Sequence, residues 1–337
     1  MKLSEIGEFG FIERFSENFA QKKEKGVTGI GDDCAIMPLD NKFEQVVTTD
    51  MLIEDIHFLR EKVSPFLLGY KSLAVNLSDI AAMGAQPTAS FLSIAIPPDV
   101  EVEYLDRFME GYKELSEKYD VPLLGGDTTK SPGKLTINVC VLGKIERGKA
   151  RRRSSARPGD IICVTGPLGD SGGGLKIILE NIDKTDDAYH RLTRWHNQPE
   201  PAVKEGLWLA SYPGVRAMMD ISDGIASDLT HILKASRCEA TIQLEKIPLS
   251  DDLIKVSGKE GWNAINLAVT AGEDYRLLLT VEKSCFSELA NRYNKQFPYP
   301  LSPIGVIVDG NTPGKIEWTE NGKTVDFSGQ GFNHFNA

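Results

Sequence analysis

The sequence predicts a mixed α/β protein of two domains, and three observations carry that expectation. A chain of 337 residues exceeds what one hydrophobic core ordinarily organises. Short stretches of alternating apolar and polar residues are interleaved with longer stretches of helical period in both halves. Between the halves lies a basic run, Lys149-Ala150-Arg151-Arg152-Arg153, followed by Pro158-Gly159, which reads as a solvated interdomain linker. The expected division is 1–147 and 148–337.

In the first half, Glu44 to Ile53 reads as a strand. Ser64-Pro65 opens a helix through FLLGYKSLAVNLSDIAAMGAQP. Proline suits a first turn, and the helix is expected to finish near Gly84 because Pro87 bars continuation. TASFLSIAIP reads as a strand, and Val102 to Tyr119 as a helix with Leu105, Phe108, Tyr112, Leu115 and Tyr119 on one face. VPLLGG is a short strand ending on Asp127, and KLTINVCVLGKI alternates like another. In the second half DIICVTG is a strand, and LGDSGGGLKIILEN is a glycine turn entering a helix. VRAMMDIS, GIASDLTHILKAS and ATIQLEKIP read as strand, helix and strand. AVTAGEDYRLLLTV is expected to form two strand-like arms around a turn. Glu282 to Asn294 completes the helices and SPIGVIV the strands.

Composition narrows the function. Hydrophobic residues at 41% and charged residues at 26% belong to a globular chain. A formal charge of −10 argues against nucleic acid and against an anionic membrane, both of which reward clustered Lys and Arg. The five cysteines, Cys34, Cys140, Cys163, Cys238 and Cys285, have no paired spacing that grips zinc and read as reduced thiols. Met1 to Phe15 carries Glu5, Glu8 and Glu13 and no signal-peptide run, and no segment is apolar enough to span a bilayer. The expected compartment is the cytoplasm.

Phosphate-binding loops of the GxxxxGK[ST] type are missing, as are the glycine loop, HRD and DFG of protein kinases. The chain offers acidic side chains at the mouths of strands instead: Asp32-Asp33 in VTGIGDDCAI, Asp50 in VVTTDML, Asp79 in NLSDIAAMG, Asp127 in LLGGDTT, and Asp220 with Asp223 in MMDISDG. All but Asp79 are expected in turns. One aspartate in a glycine-rich turn commonly caps its own backbone. Several together suggest magnesium, because carboxylates repel phosphate but bind an ion that keeps room for phosphate oxygens. Thr48, Thr49, Thr128 and Thr129 are neutral oxygens suited to completing such a shell.

The motifs GIGDD, TTDMLIEDIHF, KSLAVNLSDIAAMGAQP, GGDTT, ARPGD, VTGPLGDS, MDISDG and GEDYRLLLT occur in this order. With GEFGFIERF at the start and GFNHF at the close, the chain resembles the thiamine-monophosphate kinases over nearly its whole length. That family belongs to the superfamily that also holds aminoimidazole ribonucleotide synthetase. The resemblance implies an amino-terminal sheet domain that binds ATP and magnesium and makes a homodimer, and a carboxy-terminal α/β domain completing the active site. It implies the reaction of ATP with thiamine monophosphate, the last step of thiamine diphosphate biosynthesis.

By motif position, the resemblance assigns Asp33, Thr48, Thr49, Asp50, Asp79, Asp127, Asp220 and Asp223 to several Mg²⁺ ions. It assigns Gly126, Asp127, Arg153 and Ser222 to ATP, and His57, Glu273 and Phe332 to the acceptor. A thiazolium cation is favoured by a carboxylate such as Glu273 and an aromatic face such as Phe332. No general base is expected. The chain departs from the family in AGED for the usual GGED, in Ser155 and in the GGG after DS, all exchanges among small residues. Met109 stands where relatives often carry an aromatic. The competing expectations are another ATP-using member of the superfamily, such as the ring-closing synthetase of purine synthesis, and a non-catalytic nucleotide- or metal-binding protein.

Overall fold

The computed structural model describes residues 5–19, 26–183, 186–327 and 331. It has two mixed sheets, each with its own helices. The first sheet contains β1 (Ala35–Pro38), β2 (Phe43–Ile53), β3 (Gln86–Ile96), β4 (Leu123–Lys130) and β5 (Thr136–Glu146), in the order β1-β2-β5-β3-β4. Its neighbours are antiparallel except β3 and β4, which run parallel. Helix α1 (Gly7–Phe19) precedes β1, α2 (Pro65–Ala82) connects β2 to β3, and α3 (Val102–Tyr119) connects β3 to β4. The alternation in TINVCVLGKI buries every second residue of β5, as expected of a strand with one face on a helix layer.

Helix α2 begins where the sequence places it. Ser64 Oγ accepts the N–H of Leu67 at 3.3 Å, and Pro65 fills the first position, where no backbone donor is needed. The helix stops before Gly84, whose φ of +71° reverses the chain. Most of its residues are buried because it is packed on both sides. Toward α3 the backbones touch: a Cβ on Gly69 would lie 1.8 Å from the Phe108 carbonyl oxygen, and one on Gly111 the same distance from that of Phe66.

The second sheet follows the order β12-β11-β8-β10-β6-β9-β7. Its strands are β6 (Ile161–Val164), β7 (Val215–Asp220), β8 (Glu239–Gln243), β9 (Leu277–Val281), β10 (Ser302–Val308), β11 (Ile316–Glu320) and β12 (Lys323–Thr324). Around it lie α4 (Asp170–Leu179), α5 (Asp187–Asn197), α6 (Val203–Ser211), α7 (Ile225–Ser236), α8 (Asp251–Glu260), α9 (Ala264–Thr270) and α10 (Lys283–Gln296). One face of this sheet shares a core with the first half, in which Leu73, Leu77 and Ile80 join Cys163, Leu209, Val215 and Leu277. The other face buries Ile162, Met219, Leu229 and Ile242. Among the described residues no helix is long and apolar enough to cross a membrane.

Four expectations are corrected. SPIGVIV, which forms β10, is not the last strand, since β11 and β12 follow it. Ala268 to Thr270 is the end of α9 rather than a strand arm, because Asn263 caps a short helix by accepting the N–H of Asn266 at 2.9 Å. Asp50 and Asp127 lie inside β2 and β4, and Asp220 ends β7, so these three stand on strands rather than in turns. Arg151 is not a solvated linker residue. Its guanidinium donates to the carbonyl oxygens of Val215 at 2.6 Å and of Ala210, tying the junction to the second domain.

Candidate active site

Three elements from both halves meet at a group of carboxylates. Asp33 comes from the loop before β1, Asp79 from the last turns of α2, and Asp220 from the end of β7. One oxygen from each lies within 4.8 Å of the others. Thr48 Oγ1 donates to Asp79 Oδ2, and Ser78 Oγ donates to Asp220 Oδ2 at 2.6 Å. Arg153 pairs with Asp33 Oδ1 at 2.7 Å, while the buried Asp33 Oδ2 accepts no hydrogen bond. Asp50 sits on the same side of β2. Its N–H donates to Asn76 Oδ1 at 3.1 Å, and Asn138 holds Thr49 Oγ1 and the Asp50 carbonyl, both at 3.0 Å.

Such a group is unfavourable by itself. Burial, then the neighbouring Asp50, Asp220 and Asp33, pushes the Asp79 carboxyl well above its usual range. Burial, then Asp33, raises Asp220 to about 7, and burial, then Glu8, raises Asp50 to about 6. Buried like charges are tolerated when a cation joins them. The donors are hard carboxylate and hydroxyl oxygens, one without a partner, which fits a magnesium ion.

The other expected residues are distributed unevenly. Asp127 is exposed on β4, an edge strand, and is not in the carboxylate group. Gly126 beside it has φ +152°, and its Cα approaches β3 so closely that a Cβ would lie 1.6 Å from the Leu92 carbonyl oxygen. Ser222 follows β7, and its carbonyl accepts the N–H of Glu273 at 2.8 Å. Asp223 donates its N–H to the buried Asp228 at 3.2 Å. Phe332 lies outside the described residues. Asp32 accepts the backbone N–H of Arg153 at 2.7 Å and so anchors the junction.

Glu273 stands at φ +66° in the turn leading to β9, with Tyr275 at +49°. Its Oε1 is 2.8 Å from the Lys71 ammonium of α2, and its Oε2 is 3.2 Å from His196 Nδ1 of α5. His57 lies in the neighbourhood of this carboxylate. The His57 ring accepts the N–H of Ile53 at Nδ1, 3.0 Å away, which leaves the proton of a neutral imidazole on Nε2. Motif reading missed Lys71, Asn76, Ser78, Asn138 and His196. Ser78 is adjacent to Asp79 in NLSD and Lys71 is within the same long motif, whereas nothing local marks Asn138 or His196.

Two family models match, the AIR synthase related protein N-terminal domain over residues 31–145 and its C-terminal domain over 157–314. The thiamine-monophosphate kinase of Buchnera aphidicola subsp. Acyrthosiphon pisum is 38% identical over 331 residues, 97% of this chain and 98% of that protein. That of Escherichia coli (strain K12) is 37% identical over 336 residues, 98% of each chain. The solved structure of AaThiL complexed with AMPPCP and TMP superposes with a TM-score of 0.86 at 33% identity, covering 99% of both chains.

Proposed function

The chain belongs to the AIR synthase related family and, within it, to the thiamine-monophosphate kinases, and on that footing we propose that it transfers the terminal phosphoryl group of ATP to thiamine monophosphate. The products are ADP and thiamine diphosphate, and the step is the last in thiamine diphosphate biosynthesis. The observation that carries this reading is the meeting of Asp33, Asp79 and Asp220 from both halves of the chain, since joining two anionic phosphates requires cations between them.

Asp33, Asp50, Asp79 and Asp220, with Thr48 and Thr49, would hold several Mg²⁺ ions, and Asp127 and Asp223 are assigned to further ions. Bound there, magnesium supplies charge neutralisation for both phosphates. Arg153 reaches toward the same place from the junction, and the bare backbone at Gly126 and the turn at Ser222 complete the ATP side. His57, Glu273 and Phe332 take the acceptor. A phosphate monoester has a second pKa near ~6 and is largely ionised at neutral pH, so no side chain is needed as a general base. Transfer is direct and in line, without a phosphoenzyme.

The unit at 1–147 supplies Asp33, Asp50 and Asp79 to the site, and the unit at 148–337 supplies Asp220 and Arg153. All of β4 is exposed at the sheet edge, with Leu123 and Leu124 uncovered. An open edge of this kind is a template for pairing, and we assign it to a second copy of the chain in a homodimer. We assign the enzyme to the cytoplasm, a compartment consistent with its five free cysteines.

Purified protein incubated with ATP, Mg²⁺ and a panel of phosphorylated acceptors is expected to form ADP and thiamine diphosphate together, only with thiamine monophosphate. ATP binding without thiamine diphosphate formation would overturn the assignment in favour of a non-catalytic nucleotide-binding protein.

A further inference from the structure

The recess in front of Glu273 is lined by Pro167, Asp170, Ser171, Trp195 and Arg276. A lone carboxylate here would be a counter-ion for a cationic ring. Glu273 is not alone. The Lys71 ammonium at 2.8 Å has a side chain only 3% exposed, so its charge is opposed at close range and little screened by water. The third member, His196, adds no charge. Burial first, and Lys71 next, lowers its imidazole to about 4, which leaves it neutral beside Glu273 Oε2 and Ser171 Oγ. Lys71 and Glu273 therefore balance one for one.

The rest of the recess is also occupied. The Arg276 guanidinium lies between the rings of Trp195 and Tyr299, 4.6 and 4.5 Å from their centroids. Asp274 accepts the N–H groups of Gly169 and Ser171, and Asp170 accepts the hydroxyl of Ser250. Along α2, Lys71 and Asp79 are eight residues apart, about 12 Å at the helical rise. The helix thus separates the charge-balanced pair from the carboxylate group along its length.

We infer that Lys71 is a specificity-determining residue: by cancelling the charge of Glu273 it makes the organic end of the acceptor site indifferent to the charge of the acceptor ring. The acceptor is then held by hydrogen bonds from its aminopyrimidine amine to the paired carboxylate, and the substrate's thiazolium charge adds little to selection. The inference rests on the proposed function and refines the role of Glu273 within it.

The test compares kcat/KM for thiamine monophosphate with that for its uncharged thiophene isostere, deazathiamine monophosphate. The wild-type enzyme is expected to use the two within about threefold of each other. Lys71→Met leaves the carboxylate unopposed and should introduce a preference of about tenfold or more for the cationic acceptor. Glu273→Gln leaves the ammonium unopposed and should reverse the preference. The double variant Lys71→Met/Glu273→Gln, a neutral pair of similar shape, should return to a ratio near one and keeps the comparison available if Lys71→Met does not fold. A wild-type preference of tenfold or more for the cationic acceptor overturns the inference, as does a folded Lys71→Met enzyme, or a double variant, that departs from these ratios. A wild-type enzyme that makes no thiamine diphosphate overturns the proposed function instead.

Discussion

At the scale of single residues, the carboxylate group trades stability for binding. Asp220 rises from 3.8 to about 7, through burial first and Asp33 second. A carboxyl raised in the folded state contributes stability that is fully present below about pH 4 and lost as pH climbs through 7. Metal-free protein should therefore weaken at this position between those limits. Asp220→Asn removes the ionisation and keeps an oxygen for the Ser78 hydroxyl. In thermal melts without metal at about pH 8 it is expected to be more stable than wild type by on the order of 1 kcal/mol, with activity reduced on the order of a hundredfold. A less stable variant would contradict the view that the aspartates repel one another until a cation arrives. The acidic residues were legible in the sequence because carboxylates beside glycine and threonine in several motifs are hard to explain otherwise. Their closeness was not legible, since residues 33, 79 and 220 say nothing locally about a shared 4.8 Å neighbourhood.

At the scale of elements, α2 and α3 are packed backbone against backbone. Gly69→Ala would drive a methyl into the Phe108 carbonyl, and backbone yields less readily than a side chain. The expected loss is about 3 kcal/mol by chemical denaturation. An unchanged midpoint would show that the helices separate freely. The boundaries of α2 were readable from Ser64, Pro65 and Pro87, and β2, β3 and β5 from their alternation. Helix α9 was not readable. Its seven residues span barely two turns, too few for a 3.6-residue period to stand apart from a period of two. The continuation of β4 through Asp127 to Lys130 was also hidden, because glycines that mark turns elsewhere serve here for a close approach of β4 to Leu92.

At the scale of the whole molecule, the two sheets are not independent. A shared core runs from Leu73 and Leu77 on α2 to Val215 and Leu277 on the second sheet. Polar contacts reinforce it: Tyr70 donates to Glu200 at 3.1 Å, and Tyr119 donates to the Pro201 carbonyl at 3.0 Å. Calorimetry of the metal-free chain is therefore expected to show one cooperative transition, and two resolved transitions would contradict this coupling. The existence of two α/β units was legible from length and from the interleaving of periods. The depth of their union was not. The basic run that reads as a tether includes Arg151, whose bonds to Val215 and Ala210 have no signature in the run itself.

Helix α2 is crossed closely from the far side as well, where a Cβ on Gly206 of α6 would lie 2.2 Å from the Ala81 carbonyl oxygen. The same helix presents Lys71 to Glu273 and Ser78 to Asp220. A recombined chain that took its first half from one relative and its second from another would inherit α2 from one parent and the surface fitted to it from the other. The junction at Arg151 is thus a poor place to recombine, however plainly the sequence marks it. Exchangeable modules in this protein end where the neighbours of α2 end, and those neighbours come from both halves of the chain.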